Sequence, residues 1–240
     1  MTESQCSKSA AAVILLRPEA TGGFEVLLSR RSTETMNHGR IYSFPGEGVK
    51  KEDCSQGILK RCRGISRAEA RNIIGSELTP KLSLGLWVTG IRGLFEKAGI
   101  LLGTTENGCP LDMSDRRLRE NMAQGHKALI EGTKDFLTLL ESEGIFCDTA
   151  RLVYFSQWLA PEDSPTRIDT RFFLAVLQPD QTLSSVSQGP DTSMWITPDR
   201  ALDLCQRGSL PMNFPTFATF RTLVDFDSSE AVSAEYGLRQ

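Results

Sequence analysis

Two stretches of the sequence decide the fold: Phe44-Pro-Gly-Glu-Gly-Val49 and Gly90-Ile-Arg-Gly-Leu-Phe-Glu-Lys-Ala-Gly-Ile100. Apolar residues recur at positions 84, 88, 91, 95 and 98, which is helical spacing, and Gly99 supplies the stop of that helix. Positions 92, 93, 96 and 97 lie three to four apart, so their side chains share the face opposite the apolar stripe. The sequence therefore predicts a glycine-rich loop and a helix with one polar face.

The segments on either side alternate strand-like and helical patterns. Strands are predicted at 12–16 and 24–28, joined as a hairpin through the turn Gly22-Gly23, and again at 151–159 and 168–177. Helices are predicted to begin near Ser114, Thr133, Thr197 and Pro215. This order predicts an α+β fold in which a mixed β-sheet is sandwiched between helices as α/β/α layers.

Residues 50–83 differ from the rest of the chain, because they are rich in lysine and arginine and carry little strand pattern. Within them, Ser66-Arg-Ala-Glu69 spells a capping box and Gly75 is placed to end a short helix. Glu52, Asp53 and Glu69 dilute the positive charge, so a solvated face is expected. The stretch is predicted to be a partly helical insertion.

The amino-acid composition and the net charge indicate which classes of protein this chain can belong to. The 240 residues are 40% hydrophobic and 24% charged, which predicts a single globular domain over 1–240 with its core at about 10–224 and ragged termini. A net charge of -3 argues against a nucleic-acid binder. The six cysteines form no C-x-x-C pair, which favours reduced thiols in a cytoplasmic protein. The apolar run 10–16 is too short to cross a membrane.

The two quoted stretches resemble the Nudix box, a Gly-x5-Glu-x7-Arg-Glu-x-x-Glu-Glu-x-Gly pattern preceded by Phe-Pro-Gly-Gly. The matching positions are Gly46, Arg92, Phe95, Glu96, Ala98, Gly99 and Ile100, and Asp53 stands where the early acidic residue belongs. The resemblance implies that loop and helix gather carboxylates around Mg²⁺ or Mn²⁺. Such metals neutralise a diphosphate and activate a water to attack it. It also implies that Arg92 organises the loop and the helix by hydrogen bonding.

Three positions depart from the family pattern. Glu47 replaces the second loop glycine, Gly93 replaces the first helix glutamate, and Lys97 replaces the last. A general base is worth ~10²–10⁴ in rate, so its loss at Gly93 alone would be severe. Lys97 removes a ligand and adds a positive charge where a divalent cation should sit. Glu96 and Asp53 remain as candidate catalytic and metal-binding residues, and Glu47 is a candidate replacement acid.

The box is also split, since Glu47 and Arg92 lie 45 positions apart. A long insertion resembles the branch that includes the peroxisomal coenzyme A diphosphatase and its bacterial relatives. Segments 26–32, 167–175, 195–198 and 208–216 resemble that branch too, so the likeness covers about 10–224 and implies the Nudix fold. Relatives often carry a glutamate shortly before the tryptophan that matches Trp195. Asp191, Thr192 and Ser193 stand there in this chain.

Three functions stay open from the sequence. The first is a degenerate member with little or no hydrolysis that binds a nucleotide-like or coenzyme A-like ligand. The second is an active Mg²⁺- or Mn²⁺-dependent diphosphate hydrolase that recruits Glu47, Glu52 or Glu106. The third is a protein-interaction module, and the oligomeric state is open in every case.

Three arginines, Arg30, Arg31 and Arg171, are candidates for substrate binding. Asp169 and Arg171 alternate along one strand, so a structural ion pair between them is the competing interpretation. For Glu96 the competing interpretation is a simple pair with Arg92, four positions earlier. His38 and His126 lie far apart in the sequence and near no obvious nucleophile, which gives a Ser-His or Cys-His hydrolase little support.

Overall fold

The computed structural model describes residues 9–19, 22–31, 41–161, 167–178, 181–183 and 193–238. Within them the strands are β1 (Ser9–Pro18), β2 (Phe24–Arg31), β3 (Ile41–Ser43), β4 (Gly46–Gly48), β5 (Cys62–Arg63), β6 (Gly103–Thr104), β7 (Phe146–Asp148), β8 (Val153–Leu159), β9 (Asp169–Val176) and β10 (Ser193–Ile196). The main sheet runs β10-β2-β1-β9-β8, with β3 paired to β2 and β4 paired to β1. The short strands β5, β7 and β6 form a second sheet.

The helices of the same residues are α1 (Gln56–Lys60), α2 (Arg67–Ile74), α3 (Pro80–Ala98), α4 (Arg116–Ile130), α5 (Phe136–Ser142), α6 (Pro198–Gln206), α7 (Phe214–Leu223) and α8 (Ser229–Tyr236). Two 3₁₀ turns, Lys51–Cys54 and Thr149–Arg151, complete the fold. No described helix combines the length and the hydropathy that a bilayer-spanning helix requires.

Strand β1 lies at the centre of the main sheet and is buried on both faces. Val13 and Leu15 belong to a hydrophobic cluster built around α3, whereas Ile14 and Leu16 belong to a second cluster with α6, α7 and α8. Because side chains alternate along a strand, one strand supplies both clusters. The predicted α/β/α layering is confirmed.

On one side, the two halves of β1 pair with different strands, which leaves an opening in the sheet. Its C-terminal half pairs with β2 through Leu16 and Val26, and its N-terminal half pairs with β4 through Ala12 and Gly46. The strands β1 and β2 therefore diverge on the N-terminal side of Leu16. The residues of β1 along this opening are Ala10, Ala11 and Ala12, whose small side chains leave space that larger aliphatic residues would fill.

Helix α3 carries the polar face predicted from the sequence. It begins at Pro80, with the Thr79 hydroxyl accepting from the Leu82 amide at 3.3 Å, and ends where Gly99 adopts a left-handed φ of 72°. The apolar pattern alone placed its start at residue 84, because Thr79-Pro80 lies before the first periodic residue. The last four residues of the predicted insertion, 80–83, therefore belong to this helix.

Most other predicted elements are confirmed, including the β1–β2 hairpin and the Ser66–Glu69 capping box. Two differ. Helix α5 begins at Phe136 and not at Thr133, because Asp135 caps it through the Thr138 amide at 2.8 Å. Part of the predicted ragged C-terminus forms α8, and its Val232 is fully buried in the core.

Candidate functional site

Arg92 is the centre of the polar face of α3. Its side chain is only 2% exposed. Nε donates to Asp53 Oδ1 at 2.8 Å, Nη2 donates to Asp53 Oδ2 and to the Gly48 carbonyl oxygen at 2.8 Å each, and Nη1 donates to Glu96 Oε2 at 2.8 Å. Burial opposes the charge, but the hydrogen bonds and charges of Asp53 and Glu96 raise the pKa of Arg92 above its usual range. Arg92 therefore ties the loop, the insertion and the helix together.

Asp53 is fully engaged by this arrangement. Besides the two bonds from Arg92, its Oδ2 accepts from the Thr89 hydroxyl at 2.8 Å and from the Lys50 amide at 2.9 Å. The carboxylate is 2% exposed and has donors on both oxygens. Such a residue fixes the start of the insertion onto α3 and has little capacity left for a metal ion.

Glu96 is held between two cations. Arg92 contacts its Oε2, and Lys50 Nζ contacts its Oε1 at 2.9 Å. The pairing with Arg92 that competed with metal binding for this residue is therefore present. Both carboxylate oxygens are neutralised by side chains of the chain itself.

Glu47 and Lys97, two of the three departures from the family pattern, contact each other. Lys97 Nζ lies 2.5 Å from Glu47 Oε1, with the side chains 45% and 29% exposed. Partial burial of Glu47 opposes ionisation, but the hydrogen bond and charge of Lys97, with smaller contributions from Arg92 and Lys50, lower the pKa of this carboxyl group. The pair closes the surface between the loop and the last turn of α3.

Gly93, the third departure, lies where α3 comes closest to the loop. A Cβ atom at this position would lie 3.1 Å from the Glu47 amide nitrogen, 3.3 Å from the Gly46 carbonyl carbon and 3.4 Å from the Glu47 Cβ. The first two distances are tighter than ordinary van der Waals contacts. Glycine inside the helix therefore has a packing reason that the sequence did not show.

The residues present do not fit a magnesium or manganese ion. Three cations, Arg92, Lys50 and Lys97, already neutralise the three acids Asp53, Glu96 and Glu47. Hard divalent cations need several free oxygen ligands and a surplus of negative charge. Within the part of the chain that the structure describes, no three His, Cys, Asp or Glu side chains are grouped as a metal site.

A cavity of about 650 Å³ opens beside this cluster, where β1 diverges from β2. Its floor is the alanine end of β1 with the neighbouring residues Thr170 and Phe172 of β9. The first turn of α7 forms one wall, and the Glu47–Lys97 pair lies on its edge. Among the described residues, its lining includes one acid, Glu47, and two basic residues, Arg30 and Lys97, of which Lys97 is paired with Glu47.

The predicted substrate-binding arginines lie in different places. Arg30 lines the cavity, whereas Arg171 does not; it is buried and forms an ion pair with Asp169. Arg31 ends β2, and its side chain lies outside the described residues. Glu52 and Glu106, weighed as replacement acids, are exposed and do not line the cavity.

The remaining residues singled out from the sequence are two histidines and the three residues that precede Trp195 by two to four positions. His126 is buried, its ring 5.2 Å from that of Phe95, and burial lowers its pKa. His38, Asp191 and Thr192 lie outside the described residues, whereas Ser193 begins β10.

Two partners of the motif cluster were missed in the sequence. Thr89 precedes Arg92 by three positions, so helical spacing alone places both on one face. Lys50 precedes Asp53 by three positions and bonds to it as a local turn does. The cavity wall was also missed, because it combines Trp158 of β8 with Thr216 of α7, and no short-range pattern links the two.

Comparisons with known proteins agree with this fold. Over 213 aligned residues the chain is 25% identical to the acyl-coenzyme A diphosphatase NUDT19 of Xenopus laevis, and the match covers 76% of this chain and 55% of that protein. The chain thus spans about half the length of this curated relative. No protein-family model matches the chain.

A solved structure supports the same assignment. The Nudix hydrolase of Alicyclobacillus acidocaldarius superposes with a TM-score of 0.68 at 24% sequence identity, and the match covers 94% of each chain. That likeness establishes the fold, and the sequence match indicates which branch of the superfamily the chain resembles. The chain therefore has the fold of the Nudix hydrolases, and its sequence resembles the coenzyme A diphosphatase branch of that superfamily.

Proposed function

We propose that this protein binds a nucleotide-like or coenzyme A-like ligand in the cavity beside α3, and that hydrolysis of a diphosphate is absent or strongly weakened. One observation carries the proposal: each motif acid is paired with a cation of the chain itself. The closest of these contacts is that of Lys97 with Glu47, at 2.5 Å.

The pairing argues against metal-assisted hydrolysis for an electrostatic reason. A divalent cation entering this cluster would have to displace Lys97 or Lys50 from a carboxylate or lie beside Arg92. Two like charges about 4 Å apart repel by ~4 kcal/mol at an effective dielectric constant of 20. The cluster therefore favours its internal ion pairs over a metal.

The cavity supports ligand binding independently of hydrolysis. Its volume of about 650 Å³ lies within the range of pockets that hold small molecules. An apolar floor with a small number of polar groups at its edge is the usual lining of a small-molecule site. The likeness to an acyl-coenzyme A diphosphatase makes coenzyme A the first ligand to test.

The test measures binding and turnover on one preparation. Isothermal titration with coenzyme A, first with EDTA and then with Mg²⁺, gives the affinity and its dependence on metal. Chromatography of the same mixtures detects cleavage of the diphosphate. Binding that is equal with and without metal, with no cleavage, is the expected result. Failure to bind coenzyme A, or metal-dependent cleavage, contradicts the proposal.

A second function is favoured by the position of Glu47. Since a Cβ atom at residue 93 would lie only 3.4 Å from the Glu47 Cβ, the loop carboxylate starts beside the point from which the family's helix glutamate would start. The family pattern has glycine in the loop and glutamate in the helix at this contact, whereas this chain has glutamate in the loop and glycine in the helix. An active hydrolase that uses Glu47 in place of a glutamate at position 93 is the corresponding candidate.

Glu47→Gln separates the two functions. If Glu47 is a working acid, the variant loses cleavage of coenzyme A while it still binds it. The matched control is Glu52→Gln, an exposed acid of the same segment that does not line the cavity. Equal inactivity of the wild type and both variants favours the binding protein over the hydrolase.

A further inference from the structure

We infer that the α7 end of the cavity is a nucleobase subsite, formed by Trp158, Thr216 and Asn213. This inference rests on the proposed function and adds which part of the ligand lies at which residues. It is carried by a buried hydroxyl group that has no partner among the described residues, by an aromatic ring in the cavity wall and by a carboxamide at the mouth.

The ring of Trp158 lies in the cavity wall, next to the floor. Trp158 is in register with Thr170 across β8 and β9, and Thr170 is in register with Ala10 across β9 and β1. Register partners point to the same face of a sheet, so the indole ring, the hydroxyl group and the small alanine lie side by side. Phe214 packs against the indole with ring centroids 5.1 Å apart and fixes its position.

Thr216 supplies the most specific sign of a ligand. The residue is 1% exposed and lines the cavity, and its Oγ1 forms no hydrogen bond with any residue that the structure describes. A buried hydroxyl group left without a partner destabilises the protein. Thr219, one turn further along α7, makes the usual bond for such a residue, from its hydroxyl to the Pro215 carbonyl oxygen at 2.9 Å.

Asn213 adds an amide edge at the mouth. Its Oδ1 accepts from the Thr216 amide at 3.0 Å and so caps α7, which orients the carboxamide beside the Thr216 side chain. The amino group of the same carboxamide points away from this bond by the geometry of a planar amide and is a donor. The positive end of the ten-residue helix α7 lies at the same place.

These three groups match the chemistry of a nucleobase better than that of a flexible chain. Bases are recognised by stacking on aromatic side chains and by hydrogen bonds to their edges, and asparagine is a common partner of an adenine edge. A hydroxyl donor and an amide donor beside an indole ring provide both components. Thr216 and Asn213 are therefore assigned as specificity-determining residues, and Trp158 as the stacking platform.

The test uses adenosine 5′-monophosphate and ribose 5-phosphate, which differ only by the base. The wild-type protein is expected to bind the nucleotide about tenfold or more tightly than the sugar phosphate, because stacking on an aromatic side chain contributes about that much. Trp158→Leu should remove most of this difference, and Trp158→Phe should retain it. Equal affinities for the two probes in the wild type overturn the inference.

Two threonines of α7 provide a matched pair of variants. Thr216→Val is expected to weaken binding of the nucleotide about tenfold and to leave the affinity for ribose 5-phosphate unchanged. It should raise Tm of the free protein, because it removes a buried hydroxyl group that has no partner among the described residues. Thr219→Val removes a bonded hydroxyl group, so it should lower Tm and leave the nucleotide affinity unchanged. A Thr216→Val variant with lowered Tm and unchanged affinity contradicts the assignment.

Coenzyme A distinguishes failure of the subsite from failure of the whole proposal. If coenzyme A binds and neither Trp158→Leu nor Thr216→Val weakens it, the cavity binds the ligand and the nucleobase subsite is wrong. If neither coenzyme A nor the nucleotide binds, both the subsite and the proposed ligand-binding function are wrong.

Discussion

Lys97 and Glu47 form an ion pair across the boundary between helix α3 and the glycine-rich loop, with Nζ 2.5 Å from Oε1. Both residues depart from the Nudix pattern, and each neutralises the charge of the other. Gly93 makes the contact possible, because the loop lies too close to the helix there for an unstrained side chain. The three departures therefore form one local structure.

Lys97→Met tests this pair through the pH dependence of stability. The pKa of Glu47 is lowered by Lys97, so the stabilisation is fully present above the ordinary pKa of a glutamate and is lost as the pH falls through the lowered pKa of the folded state. Because both groups are partly exposed, we expect the variant to be less stable by only ~0.5 kcal/mol at pH 7. Urea unfolding from pH 7 to pH 3 should show this difference shrinking.

Lys127→Met is the matched control for that series. Lys127 is an exposed helical lysine 3.8 Å from Glu131, and its replacement should change stability little at any pH. A difference between Lys97→Met and the wild type that stays constant down to pH 3 contradicts the role given to Glu47.

Arg92→Lys should be strongly destabilising although it keeps the charge. Lysine cannot make the two-pronged contact with Asp53 and also reach the Gly48 carbonyl oxygen, so a buried carboxylate loses most of its donors. Breaking a buried pair costs about 3–5 kcal/mol. Urea unfolding measures the loss, and Arg116→Lys, at an exposed pair with Glu120, should cost under about 0.5 kcal/mol.

Gly93→Ala should destabilise the protein, which is opposite to the effect expected in an unconstrained helix. Alanine normally improves a helix interior by about 1 kcal/mol over glycine. Here its Cβ would lie 3.1 Å from the Glu47 amide nitrogen, so the loop must shift. Thermal unfolding should give a lowered Tm, whereas Gly48→Ala, whose Cβ has no neighbour within 4 Å, should have little effect. A raised Tm for Gly93→Ala would mean that the loop yields freely.

The triple variant Glu47→Gly, Gly93→Glu, Lys97→Glu reverses all three departures. It removes one cation, returns two carboxylates to the face of α3 that carries Glu96, and restores glycine at the point of the loop that faces residue 93. We expect it to bind Mn²⁺, detectable by calorimetry. Gly93→Glu alone should be less stable than the triple variant, because its side chain meets the Glu47 side chain as well as the loop backbone. If the triple variant folds and binds no metal, the ion pairs are not what excludes a metal ion.

The sequence predicted the loop, the helix and the three substitutions, but it could not show that Glu47 and Gly93 meet. They are separated by the inserted residues, and only the folded chain places their Cβ positions 3.4 Å apart. The role of Arg92 followed from the resemblance. Its partner Thr89 could have been found from helical spacing, since the two residues are three positions apart.

Helix α8 was missed although its local signals are present. Ser228 caps its start through the Ala231 amide at 3.1 Å, and Gly237 ends it with a left-handed φ of 69°. Its apolar pattern is weak, and Val232 is its one fully buried apolar side chain. The cavity could not be predicted at all, because its floor comes from β1 and β9, its wall from β8 and α7, and its edge from β4 and α3, which only tertiary packing brings together.

A titration of the wild-type protein with Mn²⁺ at pH 7, followed by calorimetry with and without coenzyme A, tests the central claim most directly. If Arg92, Lys50 and Lys97 neutralise the motif acids, no binding isotherm should develop below about 1 mM metal, and coenzyme A should remain intact. Micromolar binding of Mn²⁺ accompanied by cleavage of coenzyme A would contradict the account and identify the protein as a working hydrolase.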